Sequence, residues 1–422
     1  MGVEENAKPS LLAKVSDVTF LRYVAWPALN KRNKSSQGLD QESVSQFSQN
    51  LSKNIDTVSS ALKAGKFRFQ PARGATIPKG AGKGMRPLRI FNVRDKLIQK
   101  SILLRIEKFF PEIYNKVSFA FLREPSVAKA VDAVKLGATL GHQYIVLSDI
   151  ESFFENIDRK RLHEEITSCI PYSTINDLID DAIHSDIGNR GELSSEEAAL
   201  FPTTTKGVAQ GSILSPFFSN VYLRPLDKFL IDESLYGVRY ADDLAVLTRT
   251  RPAAETAHQR MSTWLEEYRG LRLYPLSGKK ARKILPLGGG FEFLGIRFET
   301  RRKKWHLEPA PEKRSEILNE IHKWMDVKKN WPLLDRRVIL SRKFAGWMGC
   351  YRDVCSTKAF AKEVDMYFSD SVHKLFRSKG LIETGKALTT SQKKFLSIQK
   401  SIRSQKRDVL LPKGFLGVNK NR

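Results

Sequence analysis

The chain has 422 residues, 41% of them hydrophobic, which is enough for a substantial buried core. A net charge of +25 and a pI near 9.9 point to a polyanionic partner. No apolar run reaches the length of a membrane span, and the N-terminus lacks the apolar stretch of a secretory signal.

Residues 10–30 read as a short amphipathic helix ending around Trp26-Pro27, followed by a polar connector over 31–37. Phe47, Leu51, Ile55, Val58 and Leu62 recur at helical spacing, with Gly65 placed to end the helix. Ile77–Ile90 reads as a glycine-tipped hairpin, and Asp95–Phe110 as a long helix. Tyr144–Asp149 is a short strand ending in an acid. Ser215-Pro216 predicts an N-cap and first-turn proline opening a helix. Gly237–Thr248 predicts a hairpin with Asp242 and Asp243 at its tip. From about Pro309 the pattern is helical and basic, with an irregular tail.

Charge is unevenly spread. Residues 301–422 hold 29 Lys/Arg against 12 Asp/Glu, or +17, whereas residues 162–200 hold one Arg against nine acids. That asymmetry predicts a surface gripping phosphate on one side. Cys169, Cys350 and Cys355 form neither a CxxC pair nor a Cys/His cluster, which argues against structural zinc and suits a reducing, cytoplasmic location without a membrane partner.

Two adjacent carboxylates on a turn repel unless a cation lies between them, and hard divalent cations take carboxylate oxygens. Asp242-Asp243 after Tyr240-Ala241, with Asp149 at the end of a strand, therefore supplies three acids for a metal cradle. Between them, Gln210-Gly211 pairs a polar amide with a residue permitting close backbone approach.

In this order the segments resemble the catalytic motifs of bacterial reverse transcriptases related to group II intron enzymes. The resemblance extends over roughly residues 37–355: an N-terminal extension motif at Gly38–Phe67, a fingers motif at Ile77–Ile90 followed by Arg94-Asp95-Lys96 and Gln99, a primer-gripping strand pair at Phe291–Phe298, and a thumb segment at Phe344–Tyr351. It implies an α+β, right-hand polymerase fold with fingers, a palm whose antiparallel sheet bears the catalytic Asp residues, and a helical thumb. The expected domains are an N-terminal helical extension (1–36), fingers (37–142), a palm (143–300) with an acidic insert at 162–200, and a basic thumb and tail (301–422).

By the same resemblance, Asp149, Asp242, Asp243 and the Ile150 carbonyl are expected to hold two Mg²⁺ ions, with Mn²⁺ able to substitute. Lys79, Arg86, Arg89, Phe154, Gln210 and Gly211 are expected at the nucleotide, Phe154 excluding a 2′-hydroxyl while its neighbour Phe153 packs. Lys280 is the expected general acid for pyrophosphate, although Ala281 replaces the family's usual hydroxylated residue and leaves the register between Lys279 and Lys280 open. Tyr240, Phe293, Leu294 and Gly295 are expected at the primer. Phe119–Ser126 departs from the family's Gly-Phe-Arg-Pro pattern, so template handling is expected to differ.

The implied partners are a structured noncoding RNA template, deoxynucleoside triphosphates and a DNA product, with the oligomeric state left open. The expected function is RNA-directed DNA synthesis in antiphage defence. Alternatives are an intron-encoded maturase and mobility enzyme, a template-independent DNA polymerase of abortive-infection type, and a non-catalytic RNA-binding scaffold.

Overall fold

The computed structural model describes residues 10–30, 36–78, 84–121, 126–171, 173–201, 203–277, 283–302, 304–326 and 333–378. The chain forms two compact units, one of residues 1–126 and 146–284, the other of residues 127–145 and 285–422.

In the first unit, the helix Val93–Phe109 is the hub of the N-terminal half. Its Leu97, Ile98, Ile102 and Ile106 are fully buried, which fits their helical spacing. Around it pack Leu11–Val15, a π-helical turn at Leu21–Ala25, and Trp26–Asn30, so the expected single N-terminal helix is broken into short pieces. The apolar stripe from Phe47 to Leu62 is interrupted once, at Asn50, between the helices Val44–Gln49 and Leu51–Lys63. Trp26 stacks on Phe47 with ring centroids 5.1 Å apart.

Strands β1 (Arg73–Pro78) and β2 (Met85–Ile90) form an antiparallel hairpin in which Ile77 faces Arg86. A four-stranded sheet follows, built from β3 (Tyr144–Asp149), β4 (Tyr236–Tyr240), β5 (Asp243–Thr248) and β6 (Lys283–Pro286), in the order β4-β5-β3-β6. The helix Ser215–Asp232 packs on β4, and Arg251–Arg269 packs on β5. Covering of this kind explains why Ala245, Val246 and Leu247 are all buried despite alternating faces.

The acidic stretch 162–200 folds mainly as helices, Arg159–Cys169, Ser173–His184 and Ser195–Ala199. Its acids act as hydrogen-bond acceptors for the segment leading into and along β1. Asp181 accepts from the Phe69 backbone N–H at 2.8 Å, Glu197 from the Thr76 hydroxyl at 2.9 Å, and the Asp186 carbonyl from the Ala72 N–H at 2.8 Å. Thus two carboxylates and one backbone carbonyl of this stretch brace the chain leading into and along β1.

The second unit contains a three-stranded antiparallel sheet, β7 (Phe291–Phe293), β8 (Ile296–Arg301) and β9 (Lys304–Pro309). Phe291 and Phe298 pair across β7 and β8, stacked at 4.6 Å, with Trp305 of β9 edge-on to both. Strand β9 falls inside the segment (301–422) expected to be a basic helical thumb and tail. Its alternation of Lys304, His306 and Glu308 with Trp305 and Leu307 is a one-sided strand whose outer face is charged. Helices Pro311–Met325, Leu333–Tyr351 and Lys358–Ser378 then pack around Ile321, Phe344, Phe360, Val364 and Phe368.

Candidate active site

Asp149 ends β3, and Asp242 lies in the two-residue turn between the paired Tyr240 and Asp243. Ala241, the other turn residue, adopts φ +59°, a left-handed conformation that is costly for any residue with a Cβ. The Asp149 and Asp242 carboxyl groups come within hydrogen-bonding reach of each other. Burial, and then the charge of Asp149, push the Asp242 carboxyl up to about 6. Asp243 opens β5 on an exposed face and does not line the same cavity. The structure therefore brings two of the three acids together; among the described residues, no three His, Cys, Asp or Glu side chains form a metal-ligating cluster.

Those two acids line a cavity of about 540 Å³. Ile150, Phe154, Gln210, Gly211 and Arg86 share its wall, so these expected nucleotide-site residues converge on one space. Phe153 is 2% exposed, its ring against Tyr222 and Phe154, whereas Phe154 is half-buried at the cavity. Gln210 is held by Glu155, to which its amide donates at 2.9 Å.

Gly211 has a physical reason beyond close approach of a ligand. At φ +111° its backbone faces β2, and a Cβ there would lie 2.5 Å from the Arg89 carbonyl oxygen. The Arg89 N–H donates to the Gln210 carbonyl at 2.8 Å, so β2 and the Gln-Gly loop are joined through their backbones. The Arg89 side chain itself points elsewhere. It lies 3.8 Å from Asp186 and lines a separate cavity of about 40 Å³ with Glu155 and Arg159. Burial lowers its pKa, partly offset by Asp186.

The Ser215 expectation needs correction. Ser215 is the first helical residue, after Leu214, and its hydroxyl donates to the Ala209 carbonyl at 2.5 Å. The turn before the helix is instead held by Ser212, whose oxygen accepts from Leu214 N–H at 3.1 Å, and by Gln99, which accepts from Ser212 and Ile213. Leu214 stands at the cap position, and no side chain caps the helix.

Of the remaining expected residues, Tyr240 ends β4, its ring 6.5 Å from that of Phe121. Phe121 also lines the cavity, in a left-handed conformation at φ +64°. Phe293, Leu294 and Gly295 lie in the second unit, where Leu294 (φ +52°) and Gly295 (φ +72°) form the tight turn joining β7 to β8. The Gly295 carbonyl accepts from Ala310 N–H at 2.9 Å. Lys79, Lys279 and Lys280 fall outside the described residues.

Residues 77–298, more than half of the chain, match the family model described as reverse transcriptase (RNA-dependent DNA polymerase). The chain belongs to the reverse transcriptase family. It is 25% identical to the Escherichia coli protein YkfC over 337 residues, spanning 70% of this chain and 84% of that one. It is 26% identical to the group II intron-encoded protein LtrA of Lactococcus lactis over 300 residues, spanning 71% of this chain but 45% of LtrA. A solved telomerase from Candida albicans, bound to a fragment of telomeric RNA, aligns over 82% of this chain and 68% of its own, at 11% identity and a TM-score of 0.41, a likeness that bears on nothing further.

The enzyme is thus an RNA-directed DNA polymerase, similar in sequence to group II intron-encoded proteins, and its fold class is the α+β right-hand polymerase. Reverse transcriptase domains generally use divalent metal ions, and the donor set fits them. Two half-buried carboxylates that repel each other, with only oxygen ligands nearby, favour a hard cation over a soft one. Among the described residues no helix is long and apolar enough to cross a membrane.

Proposed function

We propose that this enzyme copies a dedicated, structured noncoding RNA into DNA by two-metal nucleotidyl transfer, with antiphage defence as its role. The observation that carries the chemical part is the Asp149–Asp242 pair at the wall of a cavity also lined by Phe154, Gln210 and Arg86. Two Mg²⁺ ions held by Asp149 and Asp242, with the Ile150 carbonyl and Asp243 in support, would neutralise charge on the triphosphate and lower the proton affinity of the primer 3′-oxygen. Arg86 offers a planar fork to the triphosphate, for which Lys would be only a point charge. Phe154 excludes a ribose 2′-hydroxyl, Gln210 and Gly211 flank the nascent base pair, and Tyr240 meets the primer end.

The +17 charge of residues 301–422 supports RNA binding through phosphate neutralisation, and recognition of one RNA then rests on its folded shape and exposed bases. The departure at Phe119–Ser126 supports template handling unlike that of intron enzymes. A second reading, an intron maturase, is favoured by the match to LtrA.

Sequencing the RNA and DNA that co-purify with the protein separates these readings. One enriched structured RNA together with complementary DNA supports the proposal. Enrichment of a flanking intron supports the maturase, and unselective cellular RNA removes the dedicated template. The chemistry is checked by Asp242→Ala with Asp243→Ala, expected to abolish deoxynucleotide incorporation while RNA binding persists; incorporation at the wild-type rate would overturn the assignment of these acids.

A further inference from the structure

Arg239, the residue before Tyr240, sits inside a strand and is 1% exposed, and its counter-charge Asp227 on the helix Ser215–Asp232 is equally buried. The guanidinium forks the carboxylate, Nε to Oδ1 at 2.5 Å and Nη2 to Oδ2 at 2.6 Å. Nη1 makes two more bonds, to Asn220 Oδ1 at 3.2 Å and to the Ala241 carbonyl at 3.1 Å. The partners are themselves fixed. Asn115 donates to Asp227 at 2.8 Å, Ser118 to Asn220 at 3.1 Å, and Asn220 to the Ala120 carbonyl at 3.1 Å. Backbone bonds on either side, Arg239 N–H to Val117 and Phe119 N–H to Arg239, tie the same strand to the segment that carries Phe121.

Stability alone is a weak reason for such an arrangement. A buried ion pair is commonly replaceable by apolar residues of similar volume with no net loss of stability. What an apolar pair cannot do is donate to the Ala241 carbonyl. That carbonyl lies within the catalytic turn, outside the β4–β5 ladder, on a residue already in a disfavoured left-handed conformation. A peptide group moves as one plane, so fixing the Ala241 oxygen also fixes the Asp242 N–H. The Asp242 N–H lies beside its own carboxylate, the one that faces Asp149, and favours that carboxylate's charged form.

We propose that Arg239, held by Asp227 and Asn220, is a positioning residue that sets the Asp242 carboxylate against Asp149 through the Ala241–Asp242 peptide. The proposal rests on the DNA polymerase activity of this chain and assigns Arg239 no contact with substrate. Its effect should fall on the chemical step and on metal binding, leaving nucleotide affinity nearly unchanged. A misplacement of about 1 Å at a reacting centre is worth on the order of 10²-fold in rate.

The test compares the full-length wild type with Arg239→Lys and with the charge-free double variant Arg239→Met, Asp227→Leu. Three quantities are measured: deoxynucleotide kcat and KM on an RNA template-primer across a Mg²⁺ series, Mn²⁺ affinity by calorimetry, and melting temperature. Both variants are expected to bind RNA. The double variant should melt near wild type, with kcat down about 10- to 100-fold, KM within about threefold, and weakened Mn²⁺ binding. Arg239→Lys keeps the charge facing Asp227 but cannot also reach Ala241, and should show the same kcat loss. Wild-type kcat and Mn²⁺ affinity in either variant, once it is shown to be folded, would overturn the proposal. If the double variant does not fold, Arg239→Lys alone decides. Absence of incorporation by the wild type would instead strike at the polymerase reading itself.

Discussion

The β4–β5 and β1–β2 hairpins both reach the cavity, and they are built on opposite plans. In β4–β5 the strand ends meet at a two-residue turn, and the residue before Tyr240 is a buried Arg bonded four ways. In β1–β2 burial falls away toward the open end, where Ile77, Pro78, Met85 and Arg86 are all exposed, and acids of the 162–200 stretch brace the chain from Phe69, before β1, as far as Thr76. The contrast matches what each must do. Carboxylates proposed to hold metal would lose function with small displacements, and their support is a buried guanidinium making four hydrogen bonds. Arg86, proposed to meet a triphosphate, would need reach and exposure, and the braces stop at Thr76, short of it.

The comparison breaks first at the carboxylates. Asp149→Asn or Asp242→Asn should reduce kcat by on the order of 10³-fold, with RNA affinity and melting temperature preserved, because the change removes transition-state charge stabilisation and leaves packing intact. Single-turnover incorporation on a fixed template-primer measures it. A loss below tenfold at Asp149 would mean that Asp242 and another acid carry the metal.

How far the sequence disclosed this arrangement depended on whether each residue's partner was near in the chain. Asp149 was legible because an acid ends an apolar strand, and Asp242 because it follows Tyr-Ala in a hairpin pattern. Arg239 was passed over. A charged residue in a strand reads by default as solvated, and its partner lies 12 residues away on a helix that also carries Arg224, Lys228 and Asp232. The buried Asp in Leu226-Asp227-Lys228 was the available signal, since Asn220 and Asp227 fall seven apart on one helix face. The acids of 162–200 were legible as charge but not as braces, because the groups they accept from lie more than 100 residues earlier. Gly211 was singled out correctly as a close-approach position, while the approaching group, the Arg89 carbonyl, is a tertiary neighbour.

Next in size are effects on the nucleotide. Phe154→Val should raise ribonucleotide use relative to deoxynucleotide use by about tenfold or more, the scale of relieving one overpacked contact of 1–3 kcal/mol. Competition between dGTP and GTP on one template reads it out. If Phe153→Ala shifts the ratio and Phe154→Val does not, the gate belongs to the other ring. Arg86→Ala should raise deoxynucleotide KM about tenfold with little change in kcat, as expected for a charge-assisted contact made equally in the ground and transition states. A kcat loss matching that of Asp242→Asn would place Arg86 on the rigid side of the comparison.

The smallest effect on catalysis, essentially none, is expected at the other buried acid of the first unit. Asp95 sits in the first turn of Val93–Phe109 and accepts from the Gln70 N–H at 3.2 Å and from Arg94 at 3.1 Å, so it anchors the approach to β1. Unlike Asp227 it lacks a buried fork, and desolvation outweighs Arg94 to lift its carboxyl to about 6 from an ordinary value of 3.8. The folded state therefore keeps a proton that the unfolded chain has lost between those two values. Stability from this group is fully present below about pH 4 and is lost as pH rises through about 6. Asparagine retains an oxygen for Gln70 but cannot ionise, so Asp95→Asn should be the more stable protein at pH 7.5. The gain, bounded at about 3 kcal/mol by the 1.36 kcal/mol per pKa unit of linkage and reduced by the lost Arg94 pair, should vanish near pH 4. Melting temperatures of both proteins from pH 4 to 8, with incorporation assayed alongside, test this. Parallel profiles would show that Arg94 already compensates the buried charge, making Asp95 as well satisfied as Asp227 and erasing the distinction between the two hairpin roots.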